Sequence, residues 1–226
     1  DGTLLPMDNL EFTDTYFKGV SAALAPHGYD PKELVATIWT GTKAMVMNDG
    51  NECNEAVFWK AFAKVMGEKS LADKVWFDEF YRNEFDELKK ICGYNPVARE
   101  VVDFVKESGS EVVLATNPLF PSIATEKRIS WAGFQPEEFV LYTTYENINY
   151  CKPNPDYYKE ILKRIGADPK DCLMVGNDVT EDMVAQTLGM DVFLITDHMI
   201  NKEDKDISVY PNGSFSDLLR YLKEQD

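Results

Sequence analysis

The chain has 226 residues, 44% of them hydrophobic and 12% aromatic, enough for one large domain or a core with a smaller module, so wholesale disorder is excluded. A formal net charge of −16 removes nucleic acid and anionic membrane surfaces as main partners, because both need a basic face. No apolar run reaches the length of a membrane span, and Cys53, Cys92, Cys151 and Cys172 stand at zinc-ligand spacing neither from one another nor from His27 or His198, so they read as reduced thiols of a cytoplasmic protein.

From about 14 to 95 the pattern is helical. Apolar residues recur at three- and four-residue spacing over 9–25, 32–47, 54–66 and 73–92, as in Phe58, Phe62, Val65 and Met66. Turn signals separate these stretches at Pro26-His27-Gly28, Asp30-Pro31, Asn48-Asp49-Gly50-Asn51 and Gly67. The pattern predicts a small helical bundle. Its aromatics, among them Tyr16, Phe17, Trp39, Phe58, Trp59, Trp76, Phe77 and Tyr81, sit at helical spacing and are expected to form the bundle core rather than a pocket. Trp39-Thr40-Gly41-Thr42-Lys43 is the one segment singled out here for contact with a ligand.

After Gly93-Tyr94-Asn95-Pro96 the texture changes. A helix is expected over 96–108, a strand over 111–116, a helix over 120–131 and a strand over 138–144. A helix over 154–165, a strand over 172–175, a helix over 180–188, a strand over 192–196 and a helix over 215–224 follow. Strands alternating with helices at this spacing make βαβ units and a parallel sheet. The predicted class is α/β: a Rossmann-like doubly wound parallel core of 1–13 and 96–226, interrupted by an all-helical insert over 14–95. Ligands in such sheets bind at the carboxyl ends of the strands, and the polar segments below fall there.

Asp1-Gly2-Thr3 by itself reads as a turn. Thr116 ends a strand and precedes Asn117-Pro118; its hydroxyl and the neighbouring N–H groups can hold a phosphoryl oxygen, or it can cap the next helix. Lys152, in Cys151-Lys152-Pro153-Asn154-Pro155, is a surface lysine or an anion partner fixed by two prolines. Asp178 and Asp182, four apart at a strand-to-helix junction, are helix N-terminal acids or a pair whose mutual repulsion a divalent cation would relieve. Oxygen ligands favour magnesium.

In order along the chain, Asp1-Gly2-Thr3-Leu4, Val113-Leu114-Ala115-Thr116-Asn117, Lys152-Pro153 and Gly176-Asn177-Asp178 with Asp182 resemble the haloacid dehalogenase superfamily. The resemblance implies a magnesium-dependent phosphomonoester hydrolase with a helical cap that closes over the site. It places a nucleophilic aspartate two residues before Asp1, on a central first strand, and makes Asp1 the general acid/base. About ten ladder hydrogen bonds, at about 0.5–1.5 kcal/mol net each, go with such a strand, so a chain truly starting at Asp1 is expected to fold poorly. By the same resemblance Thr116 and Asn117 hold the phosphoryl group and Lys152 neutralises it. Mg2+ is held by the Asp1 carbonyl, Asp178 and Asp182, with Glu181 able to stand in for Asp182. A small phosphorylated metabolite is the expected partner; a phosphomutase and a non-catalytic binding protein on the same fold are the alternatives.

Overall fold

The computed structural model describes residues 1–224. Its first half is helical: α1 (Asn9–Leu24), α2 (Pro31–Val46), α3 (Asn54–Met66) and α4 (Lys74–Arg82), followed by a 3-10 helix at Glu84–Ile91. Local chemistry sets the starts. The Asp8 carboxylate accepts from the N–H groups of Leu10 and Glu11, and Asp30 does the same for Lys32 and Glu33, with Pro31 as the first helical residue. Asp8 therefore starts α1 at Asn9, and the expected boundary between 13 and 14 falls inside that helix. The stretch expected as one helix over 73–92 breaks at Asn83, where the backbone turns.

The second half is α/β. In order it contains α5 (Pro96–Glu107), β1 (Val113–Leu114), α6 (Ser122–Trp131), β2 (Leu141–Tyr142) and α7 (Pro155–Ile165). Then come β3 (Leu173–Gly176), a 3-10 helix at Met183–Leu188, β4 (Asp191–Ile195), β5 (Asn212–Gly213) and α8 (Phe215–Lys223). Every strand pairing is parallel: β1 with β2, and β3–β4–β5 in that order. Asn212-Gly213, just ahead of α8, is the short β5.

The sheet is thus in two pieces rather than one. β1 pairs only with β2, and β3 only with β4, among the described residues. Side chains still join the pieces: Val113, Ala115 and Leu141 pack against the cluster of Met174, Val192 and Leu194. With one partner each, β1 and β2 pair over two residues, far short of the expected 111–116 and 138–144.

The helical unit is attached by two chain segments running side by side. Met7 and Cys92 form an antiparallel bridge, and the Gly93 N–H donates to the Pro6 carbonyl at 2.7 Å. A second tie comes from α3, whose first N–H groups, on Asn54 and Glu55, donate to the carbonyls of Ile148 and Tyr145. These ties hold the helices against the loops that follow β1 and β2, where Tyr16 packs on Phe120.

Candidate functional site

Three loops meet at the carboxyl edge of the strands. The loop after β1 carries Thr116 and Asn117, the segment between β2 and α7 carries Lys152, and the loop after β3 carries Asn177 to Asp182. Lys152 is buried, and its Nζ donates to Asp182 Oδ1 at 2.6 Å. Asp182, equally buried, accepts the Asp178 N–H at 2.9 Å on its other oxygen. Burial opposes the charge on Lys152, but Asp182, Tyr157 and Glu181 together outweigh it, so the ammonium is held above its ordinary range. The rings of Tyr157 and Tyr158 flank Nζ at 5.7 Å each. Gly176 makes room for the pair: a Cβ there would lie 2.1 Å from Asp182 Oδ2.

Asn117 ties the loops together. Its Oδ1 accepts the Lys152 N–H at 3.2 Å and its Nδ2 donates to Glu181 Oε2 at 3.1 Å. Thr116 is fixed through its carbonyl, which accepts from the hydroxyls of Thr143 at 2.6 Å and Tyr157 at 2.8 Å. Asp178 turns back to the chain, its Oδ1 accepting the N–H groups of Thr180 and Glu181. Lys152, Asp182, Asp178, Asn117 and Glu181 are therefore brought together, with Thr116 beside them.

Asp1 joins this group only in part. Its backbone nitrogen lies within charge reach of Lys152 and Asp182, but its carboxylate pairs with Arg128 of α6. Arg128 is buried, lies 4.6 Å over the ring of Phe120, and is pushed down to about 10 by burial, with Tyr81 and Cys92 opposing. Sequence reading passed Arg128 by. Its signal is a charged residue on the buried stripe of α6, between Ala124, Thr125 and Ile129. Asn177 was missed as well. Its Oδ1 accepts the Thr3 hydroxyl at 2.9 Å and its Nδ2 donates to the His198 carbonyl at 2.6 Å, which fastens Asp1-Gly2-Thr3 to the β3 loop. Gly2, at a positive φ of 69°, has no room for a Cβ against Asn177.

The acidic side of the site suits a hard divalent cation in donor type, being all oxygen. Its charge density shows at Glu181, pushed up to about 7 by burial first and by Asp178 and Asp182 next, against Lys152 and Asn117. The arrangement does not gather the donors, however. Among the described residues no three His, Cys, Asp or Glu side chains converge to hold a metal ion. Asp1 is engaged by Arg128, Asp182 by Lys152 and Asp178 by its own loop.

Facing Asp1 is a cavity of about 180 Å3. The aromatics expected as bundle core wall it: Tyr16, Phe17, Trp39, Phe58, Trp59, Phe77 and Tyr81 all reach it, together with Phe120 and Tyr145 from the α/β half. Trp76 stays outside, stacked on His27 at 4.0 Å between ring centroids. Of the Trp39–Lys43 segment, Trp39 and Thr42 line the cavity.

Parallel strands, a polar site at their carboxyl edge and a helical unit facing it define a Rossmann-like α/β protein with an inserted cap-like unit. A profile of the haloacid dehalogenase-like hydrolases matches residues 1–186, and the chain belongs to that family. A bifunctional riboflavin kinase/FMN phosphatase of Arabidopsis thaliana is 29% identical over 119 residues, 53% of this chain and 30% of its own length. The pyrophosphatase PpaX of Bacillus velezensis is 24% identical over 131 residues, 58% of each. The chain thus spans well under two thirds of either relative. The crystal structure of a HAD phosphatase from Thermococcus onnurineus superposes with a TM-score of 0.57 at 15% identity, covering 98% of this chain and 94% of that one, a likeness of fold. No helix among the described residues is long and apolar enough to cross a membrane.

Proposed function

We propose that the chain carries the phosphoryl-transfer site of a magnesium-dependent phosphomonoester hydrolase that works through a phospho-aspartate and acts on a small phosphorylated metabolite. The observation that carries this reading is the buried Lys152–Asp182 pair at the junction of the three loops, tied in place by Asn117. A buried ammonium at the carboxyl edge of parallel strands is a costly arrangement, and it is the cationic group there that a chain of net charge −16 could turn from Asp182 toward an anion.

On this reading the nucleophile is the aspartate two positions before Asp1, on a strand lying between β1 and β3. Its carboxylate oxygen bonds to phosphorus as the bond to the leaving oxygen breaks. Asp1, freed from Arg128, gives that oxygen a proton and then takes one from the water that hydrolyses the acyl phosphate. Lys152 balances the charge on the phosphoryl oxygens, and Thr116 and the Asn117 N–H hold them. Magnesium, when bound, would neutralise the same oxygens, and Asp178, Asp182 and the Asp1 carbonyl would hold it once the two carboxylates turn from Lys152 and the β3 loop, which engage them here. Residues 14–95 act as a cap over a core of 1–13 and 96–226. The relatives named for FMN phosphatase and pyrophosphatase activity support phosphate-ester or anhydride chemistry in general. The four free thiols are in keeping with a cytoplasmic home.

The test is phosphate release from a panel of phosphomonoesters by the full-length protein, with Mg2+ and with excess chelator. Magnesium-dependent release that falls at least a hundredfold in Lys152→Ala is the expected result. A folded protein that releases no phosphate from any ester overturns the reading.

A further inference from the structure

The cavity facing Asp1 is out of keeping with the helical interior around it. Phe62, Phe80 and Phe85 are fully buried within that interior, and protein cores of this kind leave few voids larger than a water molecule. A cavity of about 180 Å3, open to solvent beside the exposed Trp39, leaves its lining without contacts it would otherwise make. In another protein an engineered apolar cavity of about 150 Å3 stays dry and takes up benzene. The size here therefore suits one aromatic ring with small substituents, and the rings of Tyr16, Phe58, Trp59, Phe77 and Phe120 supply the edges and faces that aromatic partners pack against.

A polar group on the wall lacks its partner. Trp59 is more than nine-tenths buried, and its Nε1 has no hydrogen-bond acceptor. The Tyr145 hydroxyl, kept neutral by burial, is near enough to be felt by Trp59 but makes no well-formed hydrogen bond with it. The other hydroxyls on the wall are spent. Tyr16 and Tyr81 bond to each other at 2.8 Å, while Thr13 and Thr42 donate to carbonyls of their own helices. A buried indole N–H without an acceptor is unfavourable, and an occupant carrying an acceptor would relieve it. The cavity also has a charged end: Asp1 is on its wall, and Arg128 sits behind Asp1 and Phe120.

We propose that this cavity seats the leaving group of the substrate, a phosphomonoester whose alcohol part carries a single aromatic ring with a hydrogen-bond acceptor for Trp59. The assignment rests on the phosphatase reading above. The ring lies among the aromatics, its acceptor faces Trp59 Nε1, and the ester oxygen points to the Asp1 end.

Two measurements on the full-length protein separate the two readings. The first is calorimetric binding of phosphonates that cannot be hydrolysed. Benzylphosphonate is expected to bind at least tenfold tighter than methylphosphonate, and pyridin-4-ylmethylphosphonate, with its ring nitrogen, at least threefold tighter again. Thr42→Trp fills the cavity and should erase the advantage of benzyl over methyl. Trp59→Phe keeps a ring but removes the N–H, and should erase only the advantage of pyridyl over benzyl; it serves equally if Thr42→Trp does not fold. The second is turnover of benzyl phosphate and glucose 6-phosphate, with kcat/KM expected to be at least tenfold higher for the single-ring ester. Ring phosphonates that bind no tighter than methylphosphonate, with glucose 6-phosphate turned over as well as the ring ester, overturn the ring assignment and leave the phosphatase reading standing. Tight binding of ring phosphonates with no turnover of any ester overturns the phosphatase reading and leaves the ring site.

Discussion

Between α1 and the 3-10 helix at Glu84–Ile91 the interior is aromatic, held by edge-to-face contacts such as Phe62 with Phe77 at 5.5 Å and Tyr16 with Phe120 at 5.2 Å. At the carboxyl ends of β1 and β3 the interior is charged. Lys152 and Asp182 are as deeply buried as the phenylalanines, and Arg128 lies buried against Asp1. In the helical unit burial is favourable by itself, and what matters is shape. At the sheet edge burial is unfavourable, and what matters is that every charge has its partner. The first kind of interior can afford a hole and the second cannot lose a single atom of its pairing.

Removing one charge is the strongest way to break the comparison. Lys152→Met leaves Asp182 buried without its partner and should destabilise by about 3–5 kcal/mol in urea unfolding. If the site is paid for as argued, the double variant Lys152→Met with Asp182→Leu recovers most of that loss while phosphate release stays abolished. A double variant no more stable than the single one would show that Lys152 does not depend on Asp182. Phe62→Ala in the helical unit should lose about as much, 3–5 kcal/mol, but through a cavity. There recovery should follow volume, with Phe62→Leu regaining more than half.

A smaller effect sharpens the contrast from the side of shape. A Cβ on Gly41 of α2 would lie 2.5 Å from the Phe58 ring of α3. Gly41→Ala must push that ring toward the cavity or part the two helices, an overpacking of about 1–3 kcal/mol. The same unfolding measurement, with phosphonate binding beside it, reads both outcomes. Loss of stability with unchanged ring affinity means the helices part. Loss of ring affinity means Phe58 moves into the cavity.

Much of this was legible in the residues because local signals wrote it. α1, α2 and α3 could be read from Asp8, Asp30-Pro31 and the apolar spacing of 54–66, since caps and periodicity act within a turn or two. The converging loops could be read because Thr116, Lys152 and Asp178 each follow a strand. What could not be read depends on partners far along the chain. Arg128 finds Asp1 across 127 positions and Asn177 finds Thr3 across 174, and neither leaves a local pattern. The aromatics were legible as core, since Tyr16, Phe58, Trp59, Phe77 and Tyr81 are buried in one cluster; helical spacing shows that they face inward, not whether the inside is full.

The smallest expected effect asks whether burial, rather than charge, sets the stakes at the sheet edge. Arg99 and Asp103 of α5 form a network with Glu138, joined at its rim by Lys106, chemically like the Lys152 pair but partly exposed, with Arg99 at 30% and Glu138 at 18%. Hydrogen bonding from Arg99 first, then the Gln135 N–H and the positive charges of Arg99 and Lys106, holds the Glu138 carboxyl down at about 2 from an ordinary 4.5, against burial. A depressed carboxyl stabilises the fold above the unfolded value, near 4.5, and that contribution fades as pH falls toward 2. Glu138→Gln should therefore lose about 1 kcal/mol or less at pH 6, and the gap to the natural protein should narrow on urea unfolding at pH 3. Asp103, also held low by Arg99, feels the Glu138 charge and shares its guanidinium, so the difference between the two proteins reports Glu138 together with its effect on Asp103. A loss at pH 6 as large as that of Lys152→Met would mean that the charge itself, and not its burial, is what the sheet edge depends on.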